Sequence, residues 1–249
     1  MSGHSKWSTI KRKKAAQDAK RSNMFAKLLR AIEVTAREGG GSLEGNMTLA
    51  SAVEKARDAS VPMENIERAI KRGTGELEGA KYEEVTYEGY GPGGVAVLVA
   101  CLTDNRNRTT QEVRHAFTRN GGNLGEAGST AWMFARKGVI QIEKAAAPEE
   151  EQLLELSLEA GAEDLSDSES TWEITCEPAS FRDVRGAVES AGIPMLAAEL
   201  TMVPQGAVPV VGGQAKQVLA LLEGLEDLDD VQAVYANFDI PEDVMAEVG

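Results

Sequence analysis

Nine cationic side chains fall in the twenty-five residues from Lys6 to Arg30: Lys6, Lys11, Arg12, Lys13, Lys14, Lys20, Arg21, Lys27 and Arg30, opposed only by Asp18. Clusters of this kind suit phosphate backbones, because each neutralised phosphate releases condensed counterions. Trp7 sits among them and offers a face on which a base or ribose can stack. A merely solvated helix face mixes signs, and this stretch does not, so contact with a polyanion is the expectation. A second group is Arg106 and Arg108, with Asn105 and Asn107, read as a polar loop ahead of a helix. Phosphate contact near a helix N-terminus and ordinary surface salt bridges explain it equally well. Arg114, His115 and Arg119 follow on the same helix, off its apolar stripe. Gly121, Gly122, Asn123, Leu124 and Gly125 then form a glycine-rich loop that permits close backbone approach to RNA. A helix stop and turn accounts for Gly121 alone, and no Walker lysine follows.

Other chemistry finds little footing. The only histidines are His4 and His115, and HExxH and GxSxG are absent, so no catalytic residue is assigned and an enzyme is not expected. Cys101 and Cys176 lie outside CxxC or Cys/His spacing, which argues for buried, reduced thiols and against a metal site. No cofactor or small-molecule substrate is implied. The many carboxylates after residue 138 read as solvated. No helix-turn-helix, zinc-finger or basic-zipper spacing appears, so sequence-specific base reading is not expected.

The elements that must position these residues show in the hydrophobic period. Phe25, Leu28, Leu29, Ile32 and Ala36 make an amphipathic helix, capped by Ser22 and stopped at Gly39–Gly41. Residues 8–20 hold helix formers without an apolar face and are expected to be helical only when docked. Asn46 caps a second helix with Leu49, Ala50, Val53 and Ala56 inward. Pro62 opens a third, with Ile66, Ala69 and Ile70 inward and Gly73 at its end. From Tyr82 the period becomes that of strands. Glu84–Glu88 alternates, Gly91-Pro92-Gly93-Gly94 has the order of a type II turn, and Val95–Leu102 is apolar throughout. Thr109-Thr110-Gln111-Glu112 resembles a capping box for a helix with Val113, Ala116 and Phe117 inward, and a strand is expected near 131–134. Residues 138–203 read βαββαβ, the ferredoxin-like order. Its first helix is expected to bury Leu153, Leu154 and Leu158, its second Val184 and Val188. A last helix, with Val218, Leu221, Leu222 and Leu225 inward, precedes a strand at 231–237.

The fold class is therefore α+β: an N-terminal helical bundle and two α/β (ferredoxin-like) domains, the third inserted in the second. The expected domains are 1–80, basic and helical; 81–136 plus 204–249, discontinuous and α/β; and 137–203, inserted.

The chain has 249 residues and a net charge of −14. That charge is unevenly spread: residues 1–72 carry +7, residues 73–137 carry −1, and residues 138–249 carry −20. A basic head on an acidic body points to a polyanion at the basic end. The longest apolar run, Val95–Leu102, is eight residues, too short to span a bilayer. No secretory signal is expected, and a cytoplasmic protein without membrane partners is.

Five segments together carry a resemblance. Gly3-His4-Ser5-Lys6-Trp7, Lys14–Arg21, Tyr87–Gly94, Asp104–Thr109 and Gly121–Gly125, in this order, are similar to the YebC/PmpR family along the whole chain. The resemblance implies three domains and a regulator of gene expression that binds DNA. Other members imply the alternative: a ribosome-associated translation factor that binds ribosomal or transfer RNA and assists synthesis of proline-rich stretches. The acidic final third departs from the family pattern without touching these motifs.

Overall fold

The computed structural model describes residues 18–168 and 170–240, with side chains from Asn23 onward except Ser168. Three helices come first: α1 (Asp18–Gly39), α2 (Met47–Asp58) and α3 (Met63–Gly73). Ile32 and Ala36 of α1, Leu49, Val53 and Ala56 of α2, and Ile66 and Ala69 of α3 are buried together, so the 3.6-residue stripe does set the bundle, except that Ala52 rather than the expected Ala50 packs against it. Asn46 caps α2 by accepting from Leu49 N at 3.0 Å. Its amide also donates to Thr35 O at 2.8 Å and Gly40 O at 2.9 Å, tying the α1–α2 loop down. Ser22 does not begin a helix: α1 is already formed at Asp18, since nothing in Asp-Ala-Lys-Arg breaks one.

Strand β1 (Glu83–Tyr90) runs antiparallel to β2 (Ala96–Thr103), pairing Tyr87 with Val99. Gly93, at φ 74° and ψ 6°, fills the left-handed third position of the type II turn between them, and Gly94 N bonds to Gly91 O at 3.2 Å. Helix α4 (Arg106–Arg119) follows, then the two-residue strand β3 (Asn123–Leu124) on the far edge of β1. The strand expected at 131–134 is not there. Residues Ala131–Met133 form a tight 3-10 turn, and a long strand, β4 (Phe134–Glu143), starts at its end.

From β4 the chain builds a separate sheet. Helix α5 (Glu150–Glu159), strands β5 (Ala162–Ser168) and β6 (Thr171–Cys176), helix α6 (Phe181–Ser190) and strand β7 (Ala197–Pro204) complete βαββαβ. The strand order β5-β6-β4-β7, all antiparallel, is the ferredoxin-like sheet. Ile140, Ile142, Ile174, Val184 and Val188 fill its core with Leu153. Leu154 and Leu158 do not join them: Leu158 is 49% exposed, and Ser157 takes the inward position one turn after Leu153. A leucine-rich helix lying on a sheet along one narrow stripe buries only the residues on that stripe.

The chain then returns to the first sheet. After β8 (Val208–Pro209) and helix α7 (Gly212–Glu226), strand β9 (Val231–Ala236) pairs antiparallel with β2, setting Val99 against Val234. Strand β10 (Phe238–Asp239) lies parallel to β8. The order β3-β1-β2-β9 thus closes over the β4–β7 sheet inserted between its parts. Helices α4 and α7 cover one face, burying Val113, Phe117, Leu221 and Leu225. On the other face, Ala96 and Leu98 meet Phe134 and Met202 of the second sheet. Among the described residues, no helix is long and apolar enough to cross a membrane.

Candidate nucleic-acid interface

Lys6, Trp7, Lys11, Arg12, Lys13 and Lys14 lie outside the described residues. Lys20 and Arg21 belong to the first turns of α1, but their side chains lie outside the described ones. Lys27 and Arg30 turn inward, to the rest of the chain. Lys27 donates to Glu226 O at the C-terminal end of α7, and Asn23 Nδ2 donates to Asp227 O at 3.3 Å. Helix ends leave such carbonyls unpaired at the negative pole of the macrodipole, so basic side chains dock there favourably. Arg30 reaches Leu102 O at 3.0 Å and Asp229 O at 2.9 Å, and lies 4.9 Å from the centre of the Tyr82 ring.

Arg30 and Arg108 meet at one carboxylate. Asp230, 1% exposed, accepts from Arg30 Nη1 at 3.0 Å on Oδ1 and from Arg108 Nη2 at 2.7 Å on Oδ2. Thr109 Oγ1 at 2.7 Å and Thr103 Oγ1 at 3.1 Å also donate to Oδ2. Burial pushes this carboxyl up, but the hydrogen bonds from Arg108, Thr109 and Thr103 and the Arg108 charge outweigh it and hold it below the ordinary value. The reading of the late carboxylates as solvated is therefore corrected at Asp230, whose partners lie 121 to 200 residues away. The neighbouring Cys101 thiol is pushed up to about 12 by burial and by the Asp230 charge, so it is protonated and unreactive. Both cysteines are free and buried.

The polar loop expected at 104–108 is also corrected. Asn105 is the N-cap, accepting from Arg108 N at 3.2 Å, so Arg106, Asn107 and Arg108 form the first turn of α4. Thr109 does not cap, because it lies one turn inside the helix and its hydroxyl donates to Asp230. Beyond this turn, Asn107, Gln111, Arg114, His115, Thr118 and Arg119 are exposed on the outward side of α4. Glu112, half-buried, is the only acidic residue of the helix against Arg106, Arg114 and Arg119, while Arg108 is paired with Asp104 at 2.9 Å and Asp230 at 2.7 Å. In a chain of net charge −14, this is a surface with room for a polyanion.

Glu88 and Tyr90, which the sequence placed in a strand and in one of the family segments, hold the residues that follow the glycine-rich loop. Glu88, 7% exposed, accepts backbone N–H bonds from Gly128, Thr130 and Ala131, each at 2.7 Å. Burial pushes its carboxyl up, but these amides bring it below the usual value. Tyr90 Oη donates to Ser129 O at 2.9 Å, and Gly125 N donates to Glu88 O at 2.8 Å. A Cβ at Gly122 would stand 2.7 Å from Tyr90 O, so that glycine is required for packing against β1. Asn123 is exposed and Leu124 half-buried in β3. Trp132, 68% exposed on the 3-10 turn, ends the segment. A lone tryptophan has no period, so the signal that singles it out is its exposure, which needs the structure.

Known proteins resemble this chain in sequence and in fold. The sequence models of the TACO1/YebC protein N-terminal domain and of the TACO1/YebC second and third domain match residues 5–76 and 82–238. A protein of Geobacter sulfurreducens named probable transcriptional regulatory protein is 56% identical over 248 residues, covering 100% of both chains. One of the same name from Rubrobacter xylanophilus is 57% identical over 249 residues, covering 100% of this chain and 99% of the relative. The crystal structure of a conserved hypothetical protein from Aquifex aeolicus superposes with a TM-score of 0.80 at 49% identity, covering 90% of this chain and 92% of that one. On both the sequence and the fold, the chain belongs to the TACO1/YebC family.

Proposed function

We propose that this protein is a nucleic-acid-binding regulator of gene expression that acts on transcription by binding DNA. The observation that carries the reading is the outward face of α4, where Arg114, His115 and Arg119 stand exposed without a carboxylate between them. Arg106 and Arg108 begin the same helix, about 21 Å long at 1.5 Å per residue. Each strand of a duplex carries a phosphate about every 3.4 Å of axis, so this face spans several of them. Lys6, Trp7, Lys11, Arg12, Lys13, Lys14, Lys20 and Arg21 extend the cationic surface in the sequence, while Lys27 and Arg30 serve the docking of α1. The relatives' name, probable transcriptional regulatory protein, supports the regulatory part of the reading. The functional units are 1–80, 81–136 with 204–249, and 137–203, and the role is binding rather than catalysis, in the cytoplasm.

The alternative, a ribosome-associated factor on ribosomal or transfer RNA, draws on the fixed loop at Gly121–Gly125, which suits the approach to a folded RNA better than to a duplex groove. Footprinting on promoter DNA, beside co-sedimentation with ribosomes and translation of a proline-rich reporter, separates the two. Protection of defined promoter sites, with none of the protein in the ribosomal fraction, supports the transcriptional reading. Ribosome association without any footprint overturns it in favour of the alternative.

A further inference from the structure

Trp132 is a large apolar side chain left in water while the turn beneath it is firmly held. Its indole Nε1 donates to Ser129 O at 3.1 Å, the same carbonyl oxygen that accepts from Tyr90 Oη at 2.9 Å. Thr130, one residue on, is fully buried and donates through Oγ1 to Val97 O at 3.2 Å. Together with the three amides on Glu88, these bonds fix the ring without covering it. The indole's one hydrogen-bond donor is used internally, so what it offers a ligand is a π face. Between Asn120 and Met133 the only charged side chain is Glu126, while the exposed Arg119 and Arg136 flank the stretch in the chain.

We propose that Trp132 is a stacking platform for an unpaired nucleobase, and that Glu88 is the positioning residue that sets it. This rests on the nucleic-acid reading above and adds to it a contact that a base-paired duplex interior cannot make. Every base has a π face, and the indole has no spare donor to read an edge, so the contact is tolerant of base identity. The ring is held before binding, so little rotamer entropy is lost when a base arrives.

The test is a set of affinities of the full chain for three probes: twelve-nucleotide oligoadenylates of RNA and of DNA, and a twenty-base-pair duplex of mixed sequence. Trp132→Ala is expected to weaken single-strand binding at least about ten-fold, in the range of one lost base stack. Trp132→Phe, which keeps a ring, stays within about three-fold, and duplex binding by both variants stays within about two-fold. Loss on the RNA strand alone assigns the base to RNA, and equal loss on both strands assigns it to any single strand. Glu88→Gln is expected to weaken single-strand binding in the same direction. If that variant fails to fold, the Trp132 pair still decides, since its side chain lies outside the core and the thermal midpoint is the check on folding. Unchanged single-strand binding by Trp132→Ala, or equal losses on strand and duplex, overturns the platform and leaves the nucleic-acid reading standing. Failure of the wild-type chain to bind any of the three probes overturns both.

Discussion

Asp230 shows how a single residue joins distant parts of this chain. It receives one guanidinium from α1 and another from the first turn of α4, with two threonine hydroxyls, on a carboxylate that is 1% exposed. Removing one member of a buried pair strands its partner's charge, which costs about 3–5 kcal/mol when both sides are dry. Here both arginines reach water, Arg108 more than Arg30, so Asp230→Ala is expected to cost about 2–3 kcal/mol. Chemical denaturation measures that loss, and amide exchange in α1 is expected to quicken with it. Asp230 and Glu88 both have folded-state values below the ordinary carboxylate value. Their stabilisation is therefore fully present above the unfolded value, about 4, and is lost as pH falls through the lower folded values. A pH series of denaturant midpoints is expected to fall on the acid side, with a smaller drop in Glu88→Gln than in the wild type.

At the scale of elements, what is legible in the sequence is whatever repeats locally. The stripes of α1, α2, α3 and α7, the type II turn at Gly91–Gly94 and the βαββαβ order all follow from period and turn chemistry, and the structure has them. The start of α4 misleads because Thr109 and Glu112 imitate a capping box, whereas Asn105 caps one turn earlier and Thr109 faces Asp230. The inward face of α5 is narrower than its sequence implies, since leucines at 153, 154 and 158 satisfy a wide stripe while the sheet accepts a narrow one. Leu153→Ala is accordingly expected to cost about 2–5 kcal/mol, and Leu158→Ala within about 0.5 kcal/mol; urea midpoints distinguish them. The Asp230 cluster and the Glu88 clasp are not legible, because their partners are brought together only by the fold. The docking of Lys27 and Arg30 belongs with them: both residues lie off the apolar stripe, and both are held by the end of α7 and the loop after it.

Over the whole molecule, a basic first segment and an acidic last one are joined by specific bonds as well as by sequence. Besides the Asp230 contacts, Lys55 meets Glu199 of β7 at 3.1 Å, and with the signs reversed Arg185 of α6 meets Glu54 at 2.6 Å, linking the bundle to the second sheet and its helix. Exposed pairs of this kind add little stability, but they use cations and anions that would otherwise face solvent. On the proposed function, the acidic body repels a polyanion from surfaces where no cations gather, and among the described residues the outward face of α4 is the surface left for it. The most direct measurement of that claim is the salt dependence of binding to a promoter duplex by the wild type and by a variant with Arg106, Arg114 and Arg119 replaced by alanine. With three phosphates no longer neutralised, the log–log slope is expected to shrink by about 2.7, at roughly 0.9 per phosphate, while the thermal midpoint barely moves. Wild-type binding with the same slope as the variant, or no salt-sensitive binding at all, would contradict the account.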